Sequence, residues 1–166
     1  MKLFGVIIIA IGNIILLLNY ESSKKKKITS SKDLLCFMQY LNTNVLEQKM
    51  TLPDAIYNLK GKISDYIDSF IRITDIKNEK NTVRQTLIAS MKKYFSDCDA
   101  ELLKCVTDYI NILGTTDKKT MYDNYNVLYN ESTEIIEKLK KEYKKNIKLT
   151  GATVFGISSM VVLMLI

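Results

Sequence analysis

A chain of 166 residues without a single histidine builds neither Ser-His or Cys-His nucleophile pairs nor a Cys/His zinc centre. Its formal charge of +6 comes from 24 Lys/Arg against 18 Asp/Glu, yet residues 28–137 hold 13 Lys/Arg and 16 Asp/Glu and are mildly acidic. The basic excess therefore sits in two lysine clusters beside apolar stretches, which excludes the folded basic surface of a nucleic-acid-binding protein.

Leu3–Leu18 is almost purely apolar and carries no charge. A helix needs about 20 residues to cross the hydrocarbon core of a bilayer, so residues 1–20 are expected to form a transmembrane helix. A cleaved signal peptide fits less well. The run ends Leu16-Leu17-Leu18-Asn19-Tyr20-Glu21, without the small residues that cleavage requires. Lys24, Lys25, Lys26 and Lys27 follow it. Leu149–Ile166 repeats the pattern at the other end, preceded by Lys138, Lys140, Lys141, Lys144, Lys145 and Lys148. Lysine is retained on the cytoplasmic side of a span, and both collars face the middle of the chain. The expected layout is thus a transmembrane helix over 1–20, a cytoplasmic bundle with basic juxtamembrane collars over 21–148, and a transmembrane helix over 149–166. The collars suit anionic lipid headgroups, at about 1 kcal/mol per residue near the surface.

The middle segment has one proline and no sustained apolar–polar alternation, so it reads as all-α. Thr29-Ser30-Ser31 offers side-chain oxygens for a helix start. Leu34, Met38, Leu41 and Val45 then share one face. Thr51-Leu52-Pro53-Asp54 predicts a new start, since proline is tolerated in a first turn. That short helix is expected to stop near Gly61. A third begins around Ser64 and presents Ile63, Ile67, Phe70, Ile71 and Thr74. Lys77–Asn81 is a polar break, and Thr82 caps a helix carrying Val83, Leu87, Met91, Tyr94 and Phe95. Asp97 and Asp99 favour another start, because acidic groups offset the positive end of a helix. It offers Leu102, Leu103, Val106, Tyr109, Ile110 and Leu113, and stops at Gly114.

Thr116-Asp117 caps the last and longest helix. Met121, Tyr125, Leu128, Ser132, Ile135, Leu139 and Glu142/Tyr143 follow a heptad rhythm that predicts packing along most of its length. No Gly or Pro interrupts residues 117–150. One helix of roughly 75 Å would run from the bundle into the membrane, unless it breaks near Asn146. The expected architecture is all-α, a compact bundle of about six helices between two terminal spans.

Catalytic signatures are missing. Gly61-Lys62 has Ile56 where a phosphate-cradling loop needs glycine. The carboxylate groups Asp65/Asp68, Asp97/Asp99/Glu101 and Glu131/Glu134 read as solvated faces or caps. Cys36, Cys98 and Cys105 are odd in number and dispersed, as in a reduced cytosolic protein, and Asp99 is expected to part the last two at a helix boundary. Neither catalytic residues, nor a cofactor, nor a metal, nor a small-molecule substrate is expected. Gly5 and Gly12 share a face of the first span, and Ala152 and Gly156 form a small-x-x-x-small pair on the second. Such residues allow close helix packing on each other or on a partner, and are also common in any membrane helix.

Several strings resemble the stage III sporulation protein AB family. Met1-Lys2-Leu3-Phe4-Gly5 opens the first span. Thr51-Leu52-Pro53-Asp54-Ala55-Ile56 is similar to the family's Pro-Leu-Pro-Glu-Ala-Leu type segment. Leu113-Gly114-Thr115-Thr116-Asp117 is similar to its Leu-Gly-x-Ser-Asp turn, and a charged helix runs into the final span. Met121 stands where the family usually has Gln, and the family's common tryptophan is missing. The resemblance implies a fold like the cytoplasmic domains of the F-type platform protein of type II secretion and type IV pilus machines. It implies as partners the secretion-type ATPase, stage III sporulation protein AA, and the other subunits of the sporulation channel. It implies a place in the mother-cell membrane around the forespore. The turn at Leu113, Gly114, Thr116 and Asp117 has a structural explanation, a glycine stop followed by a capped start. The leading expectation is a non-enzymatic membrane platform that docks an ATPase. The alternative is a membrane-anchored small-ligand or redox sensor using the bundle core or the thiols.

Overall fold

In the computed structural model, residues 2–59, 83–115 and 117–165 are described, with only the helical backbone given for 2–10, 155, 158 and 161–165. Helix α1 runs unbroken over Lys2–Leu41. The start expected at Thr29–Ser31 does not occur, and the expected first span and first bundle helix are one element. Capping chemistry matters only where the preceding backbone has left the helix. Lys24–Lys27 are good helix formers with no breaker among them, so it does not leave. Ser30 and Ser31 are instead buried on the packed face of α1.

After Leu41 the coil widens into a π-helical segment, Asn42–Glu47, which the sequence did not announce. Its asparagines supply the reason. Asn side chains compete for backbone groups. Asn44 Nδ2 donates to the Tyr40 carbonyl at 2.8 Å, and Asn42 Oδ1 accepts from the buried Tyr109 hydroxyl at 3.2 Å. Lys49, at φ 58°, then turns the chain.

Helix α2, Leu52–Tyr57, starts as expected. The Thr51 hydroxyl accepts from the Asp54 N–H at 3.3 Å and donates to Asp54 Oδ2 at 2.6 Å. The helix closes at Asn58, earlier than the expected Gly61. Gly61, the helix expected from Ser64, the Lys77–Asn81 break and the Thr82 cap lie outside the described residues.

Helix α3 spans Val83–Tyr94 and buries Leu87 and Met91. Helix α4 spans Ala100–Ile112 behind the expected cap, with Asp99 Oδ1 accepting from the Glu101 N–H at 3.1 Å. Helix α5 spans Lys118–Leu165 as one element, so no break falls at Asn146. Five α-helices, the π segment and no strand make up the described residues.

The chain divides into two units. One is Lys27–Glu137, whose core gathers Leu34, Phe37, Met38 and Leu41 of α1, Ile56 of α2, Leu87 and Met91 of α3, Leu102, Val106, Tyr109 and Ile110 of α4, and Ile135 and Ile136 of α5. The heptad rhythm is the packed face of α5 here, for Ser132 and Ile135 are buried and Tyr125 and Leu128 half-buried. The other unit is Met1–Lys26 with Lys138–Ile166. Among the described residues no helix is long and apolar enough to cross a membrane. Each expected span lies only partly among residues whose side chains are described.

Candidate functional site

The lysine collars are the largest expected site. Lys24, Lys25, Lys26, Lys138, Lys141, Lys144, Lys145 and Lys148 are exposed, and Lys140 is half-buried. Lys25 pairs with Glu21, one turn before it, at 2.5 Å, and Tyr143 of α5 donates its hydroxyl to the same Glu21 Oε1 at 3.2 Å. The hydrogen bond from Lys25, and then that from Tyr143, holds the Glu21 carboxyl below the usual carboxylate range. Glu21 in turn raises the Lys25 ammonium. The Lys24 ammonium lies 5.7 Å from the Tyr20 ring centroid, within range of a cation–π contact. The collar thus contains a tie between the two helices of its own unit.

Lys27 stands apart from its three neighbours. It is half-buried, and its ammonium reaches Asp99 Oδ2 at 3.2 Å. This lysine reaches the N-cap residue of α4. A Cβ built on Gly12 or Gly156 meets nothing within 4 Å, so neither mediates a close helix approach among the described residues. The side-chain surroundings of position 5 lie outside them, which leaves Gly5 without a structural account.

The Leu113–Asp117 turn is built as the sequence suggests, with one addition. Gly114 adopts φ 79°, the left-handed region that favours glycine. Asp117 Oδ1 accepts from the Thr120 N–H at 3.0 Å, and its Oδ2 from the Thr120 hydroxyl at 2.6 Å. Those bonds, the hydroxyl's first, hold the Asp117 carboxyl low. Thr116 lies outside the described residues. The addition is Arg84 of α3, whose Nη2 donates to the Leu113 carbonyl at 2.5 Å and places a cation at the negative end of α4. Nothing local in the sequence points to it. Met121 Sδ accepts from the Gly114 N–H at 3.1 Å, so the residue that departs from the family pattern still provides an acceptor at the turn.

Burial governs the remaining titratable groups. It pushes the Tyr125 phenol up to about 12 and that of Tyr109 higher still. Both rings pack at 5.5 Å between centroids, and Tyr125 stacks on Tyr129 at the same spacing. Gln39 Nε2 donates to the Tyr129 hydroxyl at 2.8 Å. These contacts join α1, α4 and α5.

Cys98 precedes the Asp99 cap, and Cys105 follows it on α4, so the boundary expected between them is present. Both are buried. Burial pushes the Cys98 thiol up to about 11, only partly offset by the Ser31 hydroxyl. The exposed Cys36 is also raised, first by desolvation and then by Asp33. Reactive thiols need a lowered pKa, and none of the three has one. No metal-holding group of His, Cys, Asp and Glu occurs among the described residues.

The family model described as stage III sporulation protein AB matches residues 2–166. The chain belongs to the stage III sporulation protein AB family. This is a sporulation structural family and not an enzyme family. Membership is consistent with a role in sporulation, and the resemblance seen in the Thr51–Ile56 and Leu113–Asp117 strings extends over nearly the whole chain. No curated protein and no solved structure gives a match.

Proposed function

We propose that the chain is a non-enzymatic membrane platform of a secretion-like channel between mother cell and forespore, docking and coupling a secretion-type ATPase. The observation that carries this reading is the continuity of α1 over Lys2–Leu41 and of α5 over Lys118–Leu165. Each helix joins an apolar terminal stretch, through a lysine collar, to a face of the buried core. Exposed Ile14, Leu16, Leu18, Ile157 and Met160 support a lipid environment for those stretches. The lysines beyond them support anionic headgroups and a cytoplasmic bundle. In this reading the membrane is that of the mother cell around the forespore, and the protein anchors at both ends.

The ATPase partner is stage III sporulation protein AA, and force applied at the bundle is transmitted as tilt or rotation of α5. Co-purification of the ATPase with the full chain from cross-linked sporulating cells tests the docking, and its repeated absence counts against it. Protease added to intact protoplasts tests the sidedness. Protection of the bundle is expected, and digestion places it on the opposite side of the membrane from any ATPase. The sensor reading gains no support from thiols held above their ordinary range, and replacing all three by serine should leave sporulation unchanged.

A further inference from the structure

Helix α4 carries two stripes. Leu102, Cys105, Val106, Tyr109 and Ile110 form the buried one. Ala100, Leu103, Lys104, Thr107 and Asp108 repeat the same helical spacing two positions earlier, and line a groove of about 500 Å³ with Lys92 and Ser96 at the end of α3. Leu103 is half-buried and Thr107 buried, whereas Lys92 and Lys104 are exposed. Thr107 returns its hydroxyl to the Leu103 carbonyl at 2.7 Å, so the middle of the groove spends its polar group internally and presents mainly apolar surface.

Neither Lys92 nor Lys104 has an ion-pair partner among the described residues, although Asp97, Glu101 and Asp108 are close in sequence. Two ammonium groups with no ion-pair partner among the described residues therefore border an apolar strip, with the Asp108 carboxylate one turn beyond Lys104. The groove residues from Ala100 to Asp108 extend along about two helical turns, roughly 12 Å. Apolar anchors at helical spacing with charges on the rim are how a groove receives an amphipathic helix. The rim cations select its charge.

We propose that the α3–α4 groove docks an acidic amphipathic helix of a partner protein, with a leucine-type anchor on Leu103 and carboxylates on Lys92 and Lys104. The proposal is independent of the platform reading, since it needs neither the membrane spans nor an ATPase. Asp108 gives the groove polarity and sets the direction of the incoming helix, whose carboxylates must lie away from it.

The test uses the full chain in zwitterionic lipid nanodiscs. The probe is a labelled helical peptide with Glu beside Leu anchors at i and i+4, compared with its Gln and Lys counterparts by fluorescence anisotropy. The Glu peptide should bind at least about tenfold tighter than the Gln peptide, the discrimination of one well-placed charge contact. Lys92→Glu with Lys104→Glu should abolish that preference and transfer it to the Lys peptide. Both positions are exposed, so the helical melting curve should not move. Equal binding of the Glu and Gln peptides by the unaltered chain overturns the proposal. So does a Glu preference that survives the charge reversal, which would place the peptide on the collars. Loss of binding to anionic vesicles in the reversal variant, with peptide binding unchanged, would assign the lysines to lipid and also overturn it.

Discussion

The two units solve the same chemical problem in opposite ways. In Lys27–Glu137, Leu34, Phe37, Leu87 and Ile110 are fully withdrawn from solvent, each at 0% exposure. In the terminal unit, Leu16 is 65% and Met160 70% exposed, although the local sequence is more apolar. Apolar surface alone therefore does not make a core; a face opposite must be there to cover it. The bundle supplies that face from its own helices, and in the platform reading a lipid medium would cover the terminal stretches.

The largest expected effect breaks the comparison at its centre. Phe37→Ala should cost the bundle about 3–5 kcal/mol, because the site cannot collapse around a deleted ring. Leu16→Ala should leave the unfolding midpoint where it was, since Leu16 is 65% exposed. Urea unfolding followed by helicity decides both. A destabilisation by Leu16→Ala equal to that of Phe37→Ala would show that the two units share one core.

Smaller effects separate polar contacts in the same way. Tyr109→Phe removes the hydroxyl that satisfies Asn42 in a buried place and should cost about 1–3 kcal/mol. Tyr143→Phe removes a hydroxyl from the solvent-screened Glu21 and should not shift the melting temperature measurably. Arg84→Met should cost about 1–2 kcal/mol, as the Leu113 carbonyl loses its charged donor at the end of α4. Arg84→Lys should recover part of that loss.

The contrast also explains what was legible in the sequence. Caps built from adjacent residues could be read directly: Thr51 with Asp54, Asp99 with Glu101, Gly114 followed by Asp117. The heptad on α5 could be read because a packed stripe repeats locally. The false start at Thr29–Ser31 shows the limit. Those residues have capping chemistry, but Ser30 and Ser31 are buried, with the Ser31 hydroxyl against Cys98, far along the chain. The π segment at Asn42–Glu47 depends likewise on Tyr109, and the turn at Leu113 on Arg84. Long-range partners decided each of these, and a residue pattern read along one strand of sequence does not carry them. The collars show a milder form of the same limit, since Lys27 belongs to a lysine run by sequence and to Asp99 by contact.

The smallest expected effect concerns the thiols, and it sharpens the comparison without changing stability at neutral pH. A thiol pushed to about 11 is ionised in roughly one molecule in a thousand at pH 8, and Cys98 is buried as well, whereas Cys36 is exposed. Iodoacetamide at pH 8 should therefore modify the exposed Cys36 well before Cys98, which peptide mass mapping reads. The sign of the linked stability follows from the raised folded value. Stability is fully present below the unfolded thiol's range, near pH 9, and erodes as pH climbs from there towards about 11, because the unfolded chain releases its proton first. Cys98→Ser lacks that titration. Its midpoint should fall less than that of the unaltered chain between pH 8.5 and 10.5, a window of about two units set by the same linkage. Identical slopes would mean that Cys98 is open to water, and that the packing of Ser31 on Cys98 is looser than the buried positions around it require.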